Sequence, residues 1–190
     1  MGIAVMTFLL LSSAKVKSNP SGDKGWFPAG SHPKEYQMEI TSSMKHTGSH
    51  CAMIKYVSTG APSGFGTFMQ MHKPGAWAGK KLKMTGYVKT ENVADWCGMW
   101  CRVDGADGKE MVDFDNMQDR PLKGSTDWTK CEITINVTKD ASAIAYGVLV
   151  SGKGAAYFDD ISFEVIGDAD PHPKSKMSGT DKPTNLNFED

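Results

Sequence analysis

The chain has 190 residues, 21 Lys and Arg against 22 Asp and Glu, and a formal charge of −1. That length holds one domain with a real hydrophobic core, and the scattered, balanced charge excludes nucleic-acid binding through a basic patch. Twenty glycines and short apolar runs favour many strands joined by turns over long helices.

The leader, residues 1–24, carries the strongest apolar run, "IAVMTFLLL" (Ile3 to Leu11), followed by "SSAK". It has two readings. As a secretory h-region it would place the protein outside the cell or at its surface, although no Lys or Arg precedes it. As a buried strand it carries no address. In either case the run is too short to span a bilayer as a helix.

Residues 25–166 form the expected domain. Strand-like segments fall at 36–41, 52–58, 66–72, 81–90, 96–103, 111–117, 130–137, 143–151 and 155–166. The turn signals "HTGSH", "STGAPSG", "KPGAWAGK", "DGADGK", "KGSTDW" and "SGKG" separate them, and "SGKG" reads as a hairpin turn. In "KLKMTGYVK", Leu82, Met84 and Val88 alternate with Lys83, Thr85 and Tyr87, a strand with one wet face. Strands at this spacing predict an all-β sandwich or barrel. Residues 167–190 begin as a polar, proline-bearing linker and end on "TNLNFED", where Leu186 and Phe188 alternate with Asn185 and Asn187 as in a last docked strand.

The candidate sites follow from alternation. Trp96, Trp100 and Arg102 share one face of their strand, opposite Cys97, Met99, Cys101 and Val103. Aromatic rings beside a cation suit a sugar, whose C–H faces stack while its hydroxyls seek partners. Asp115, Asn116 and Gln70 are candidates to supply those partners, and Trp26 and Tyr36 to extend the site from the rim. The competing reading is structural: Arg102 paired with Asp115 across strands, Trp100 in the core, Gln70 satisfied internally, and Trp26 and Tyr36 capping the sandwich.

In "YFDDISFEV" the alternation of Ile161, Phe163 and Val165, counted back by twos, turns Asp159 toward the core. A carboxylate there needs a partner, either hydrogen-bond donors or a metal. Cys97 and Cys101 lie on one strand about 13 Å apart, too far for a disulfide, and with Cys51 and Cys131 they read as free buried thiols. His46, His50 and Cys51 lack zinc spacing, no nucleophile motif occurs, and Asp113 with Asp115 has no mark of a glycosidase acid pair. Asn136-Val-Thr matches a glycosylation sequon.

The run "KHTGSHCAMIKY", then "GFGTFMQM", "GKKLKMTGYVKTENV", "GSTDW" and "YFDDISFEV", resembles the jelly-roll carbohydrate-binding modules of families 4, 9 and 22, which are galactose-binding-like sandwiches. The middle, "GYVKTENVADWCGMWCRVDG" with "FDNMQDRPLKGSTDW", is similar to modules attached to bacterial regulators and secreted enzymes. The resemblance implies a β-sandwich jelly roll and a non-catalytic module that binds carbohydrate. The alternatives are a protein-interaction or assembly module and, third, a small glycan-active enzyme. It also implies a structural Ca²⁺ beside the Asp-Asp strand, for which Asp159 and, from the C-terminal "NLNFE", Glu189 would be the ligands.

Overall fold

The computed structural model describes residues 25–171. Within them lie β1 (Phe27–Gly30), β2 (Tyr36–Thr41), β3 (Cys51–Tyr56), β4 (Phe65–His72), β5 (Lys80–Asp104), β6 (Met111–Asp115), β7 (Leu122–Val137), β8 (Ala143–Ser151) and β9 (Ala155–Asp168). Two 3₁₀ turns, Pro33–Glu35 and Gly75–Trp77, are the other regular elements. No helix among the described residues is long and apolar enough to cross a membrane. The leader and the "NLNFED" tail lie outside the described residues.

The organising element is β5. Its first half, Lys80 to Glu91, pairs with β9 on one side and β7 on the other, while Trp96 to Asp104 pairs with β8, and Cys101 to Asp104 with β6. One strand therefore runs through two layers. The first layer has the order β2-β3-β9-β5-β7 and the second β1-β4-β8-β5-β6, all antiparallel. Register shifts after Val88, Thr90 and Val93 mark the crossing, where Asn92 has φ 51°. This is a jelly-roll sandwich, as expected.

The core fills the space between the layers. Leu82, Met84 and Val88 from the first half of β5 and Cys97, Met99, Cys101 and Val103 from the second are fully buried. Ile133 and Ile135 of β7, Phe158 of β9, and Val148 and Val150 of β8 close around them.

Several expectations need correction. The segments 81–90 and 96–103 are one strand, because a bent strand keeps its hydrogen bonds by changing neighbours. "GSTDW" is not a turn between strands but the start of β7, with Gly124 at φ 65° absorbing the irregularity. "SGKG" is not a hairpin turn: β8 pairs with β4 and β5, β9 with β3 and β5, so these residues carry the chain from one layer to the other. The first strand, "FPAG", falls in what reads as a loop. It pairs with β4 through Phe27↔Met69 to Gly30↔Gly66.

At Asp159 the count by twos fails for a definite reason. Phe158 pairs with Val88 and Asp159 with Tyr87, but Ser162 pairs with Thr85, so Asp160 and Ile161 together oppose Gly86. This is a β-bulge with Asp160 at φ 52°. It reverses the parity of the strand: Phe158 and Ile161 both face the core, and Asp159 and Asp160 both face outward.

Buried acids tie the layers together at their β6–β7 margin. Asp113, on β6, accepts hydrogen bonds from the backbone N–H of Asn136 (2.7 Å) and from its side-chain amide (3.2 Å). Asn136 is thereby buried and engaged, which takes the sequon out of reach of glycosylation. Replacing Asp113 with Ala strips a buried N–H of its acceptor and is expected to lower the unfolding free energy by roughly 1–3 kcal/mol. Urea denaturation would measure it, and parent-like stability would show that this tie contributes nothing.

Candidate functional site

The outer face of the second layer holds a groove of about 410 Å³, within the usual size of small-ligand sites. Strand alternation builds it, since residues of β4, β8 and β5 that point away from the core meet on this face. Met69, Trp100, Ala145 and Leu149 form an apolar cluster, with Ala29, Trp96 and Phe114 packed against it. Phe65, Thr67 and Ser151 complete one end, and Arg102 and Asn116 line the β5–β6 side.

Glycines make room for the rings. A Cβ at Gly98 would stand 2.7 Å from the Asn116 carbonyl and 3.0 Å from the Trp96 ring, so only glycine lets that indole lie along the strand. Gly147, between Trp100 and Met69 in the ladder, allows close approach to the β4 backbone: a Cβ there would be 2.4 Å from the Phe68 carbonyl. Trp100 then reaches across β8. Its indole N–H donates to the Thr67 hydroxyl at 2.8 Å, and that hydroxyl donates to the Val148 carbonyl at 2.7 Å.

Asn116 is held at the groove by local turns. The Asp115 carboxylate accepts the Met117 N–H at 2.9 Å, the Asn116 side-chain oxygen accepts the Gln118 N–H at 3.1 Å, and Met117 takes φ 59°. Arg102 pairs with Asp104, its neighbour on the same face. Nη2 donates to Oδ2 at 3.1 Å, while Nε lies 2.9 Å from Oδ1 but is not aimed at it as a hydrogen bond.

Of the expected ligand-binding residues, the structure brings together Trp96, Trp100, Arg102 and Asn116. It places the other four elsewhere. Asp115 does not pair with Arg102 or face the groove; it is buried on the opposite side of β6 and receives Arg120 at 2.9 Å. Gln70 points between the layers, where it accepts the Tyr146 hydroxyl at 3.0 Å. Trp26 packs on Phe158, Phe68 and Tyr146 at centroid distances of 5.3 to 5.8 Å, as a cap on the core. Tyr36 is buried with its hydroxyl directed at the carbonyls of Gly64 and Gly152, and burial pushes its pKa up to about 12. Trp77 is half-buried against Phe163.

Sequence reasoning missed Phe65, Met69, Phe114 and Leu149. The available signal was that "GFGTFMQM" and "YGVLVS" are apolar on both strand faces, which marks strands with something on each side.

The outer face of the first layer is arranged differently. The β2–β3 loop crosses it: Met44 packs with Trp128 on Cys51, Met53, Ala155 and Tyr157, and His46 stacks on Tyr87 at 3.8 Å. The outward acid pair latches this loop. Asp159 accepts the N–H groups of His46 (3.0 Å) and Thr47 (3.2 Å), and Asp160 accepts His46 Nδ1 at 2.7 Å and the Thr47 hydroxyl at 2.8 Å. Both Asp159 oxygens thus face N–H donors, the second being the Asp160 N–H at 2.8 Å. No three metal-ligating side chains converge among the described residues, and Glu189 lies outside them. All four cysteines are free and buried. Burial pushes the Cys51 and Cys131 thiols up to about 11 and those of Cys97 and Cys101 higher still.

The fold is a β-sandwich of the kind seen in solved carbohydrate-binding modules, a likeness of architecture. The CBM22-1 xylan-binding domain of Paenibacillus barcinonensis Xyn10C matches with a TM-score of 0.53 and 16% identity, over 78% of this chain and 90% of that one. The CBM22-1-GH10 modules of Clostridium thermocellum xylanase 10B, complexed with xylohexaose, match with a TM-score of 0.54 and 13% identity, over 76% of this chain and 26% of that one. In sequence, the chain is 34% identical over 169 residues to YbfP of Bacillus subtilis (strain 168), named an uncharacterised HTH-type transcriptional regulator. That alignment takes in 88% of this chain and 57% of the regulator's length. No family model matches the chain.

Two measurements test the latch. Hydrogen bonds from His46 and Thr47 hold the Asp160 carboxyl below the usual carboxylate range. A depressed folded-state pKa contributes stability above the unfolded pKa, near ~4, that is lost as pH falls through the folded value. The parent's melting temperature is therefore expected to drop more steeply between about pH 4 and pH 2 than that of Asp160→Asn; parallel curves would remove the latch from the acid response. Melting with calcium and with chelator tests the ion: a calcium-dependent rise would restore the calcium expectation, and superimposed curves would end it.

Proposed function

We propose that this chain is a non-catalytic module that binds a saccharide in the groove on the outer face of the second layer. The observation that carries this reading is the meeting of Trp96, laid along the strand over Gly98, with the donors Arg102 and Asn116 in a groove of ligand size. A sugar ring has apolar C–H faces and hydroxyl edges, and it needs both kinds of contact. The ligands of the structural neighbours, xylan and xylohexaose, support the chemical class; they belong to those proteins.

The longer regulator with which the chain aligns suggests the context: a module whose occupancy is reported to a DNA-binding part elsewhere in a longer chain. The glycosidase alternative loses its carboxylates, since Asp113 and Asp115 face away from the groove and are engaged by Asn136 and Arg120. A protein-interaction surface is the second reading. It is favoured by Phe65 (37% exposed) at the groove, with Phe27 (36%) and Met71 (49%) on neighbouring positions of β1 and β4.

A glycan array followed by titration calorimetry would test the saccharide reading. Trp96→Ala is expected to weaken binding tenfold or more, of the order of ~1.4 kcal/mol, and Arg102→Ala to weaken it while circular dichroism stays parent-like. Affinity unchanged by both substitutions would move the site elsewhere, and no glycan bound at all would favour a protein partner.

A further inference from the structure

The groove's polar groups are mostly spent within the protein. The Trp100 N–H and the Thr67 hydroxyl are tied to each other and to Val148, the Ser151 hydroxyl donates to Asp95 at 2.6 Å, and the Asn116 oxygen accepts Gln118 N–H. What remains for a ligand is the Arg102 N–H groups that Asp104 does not take up and the Asn116 amide N–H₂, both on the β5–β6 side. The opposite wall, from Ala29, Phe65 and Met69, and the floor, from Leu149, are apolar. Trp100 (8% exposed), Met69 (7%) and Leu149 (7%) are all nearly buried, so together they present a thin apolar floor and no open ring face of Trp100.

We propose that the groove selects saccharides bearing apolar substituents, such as 6-deoxy, O-methyl or O-acetyl groups, over unsubstituted sugars; this rests on the saccharide reading above. An unsubstituted pyranose buried here would set hydroxyls against Met69, Leu149 and Ala29, where nothing replaces their water. A methyl or acetyl group at those positions removes the unpaired hydroxyl and fills the apolar side. The remaining hydroxyl edge meets the donors of Arg102 and Asn116. Aliphatic methyls of Met69 and Leu149 give no flat platform for ring stacking, and they match a compact apolar substituent.

The test is calorimetry on the full chain with matched soluble pairs: O-acetylated against deacetylated xylo-oligosaccharides, O-methylated against unmodified gluco-oligosaccharides, and D-rhamno- against D-manno-oligosaccharides. At about fourfold per buried carbon, an O-acetyl group is expected to tighten binding roughly tenfold. The substituted member is expected to win in at least one pair, and Leu149→Asn to shrink that ratio toward unity. Binding with equal affinity within every pair would overturn the selectivity and leave the saccharide reading standing. A substituted preference that Leu149→Asn leaves unchanged would also overturn it, because the apolar floor would not be its source. Failure of all six ligands to bind would overturn both.

Discussion

Everything in this fold depends on one strand belonging to two sheets. β5 gives its first half to one layer and its second half to the other, so the inward side chains of both halves meet in a single core. Covalent continuity thereby fixes the relative placement of the layers at the crossing. The register shifts between Val88 and Cys97 let the backbone turn without exposing its hydrogen-bonding groups. Because parity holds along the second half, burying Cys97, Met99, Cys101 and Val103 forces Trp96, Trp100 and Arg102 onto the outer face. The site is thus a consequence of how the core is filled.

The two outer faces begin alike and end differently. Each carries an apolar cluster that a sandwich would not ordinarily leave wet, Cys51, Met53 and Tyr157 on one side and Met69, Trp100 and Leu149 on the other. On the first layer the β2–β3 loop lies over the cluster, with His46 on Tyr87 and its backbone held by Asp159. The bulge at Asp160 makes this possible, since it turns both carboxylates outward toward the loop. On the second layer, among the described residues, strand β1 and the β6 end only border the cluster and leave a groove. An apolar floor between polar margins is suited to a small amphipathic ligand.

Polar ties at the margins give the sandwich its closure. Asp113 reaches from β6 to the Asn136 backbone on β7, and Arg120 bridges Asp115 and the Glu132 carbonyl at 2.9 and 3.0 Å. These bonds satisfy edge groups of β7 that would otherwise be open to pairing. They also explain why acids that look available along the chain are unavailable to a ligand: each is committed to holding the layers together.

The all-β class and the axis of the site can be read from the order of residues along the chain. Turn residues punctuated by glycine, and alternation in "KLKMTGYVK" and "WCGMWCRV", are local properties of a pleated strand, so the all-β sandwich and the shared face of Trp96, Trp100 and Arg102 were legible. Which neighbours join that face follows from strand order, which is set by long-range pairing that no local pattern encodes. Gln70, Asp115, Trp26 and Tyr36 carry the right chemistry but point between the layers, while Phe65, Met69, Phe114 and Leu149 arrive on the groove from other strands. Asp159 shows the same limit within one strand: the bulge at Asp160 and Ile161 shifts the parity between Phe158 and Ser162, and alternation alone does not announce it.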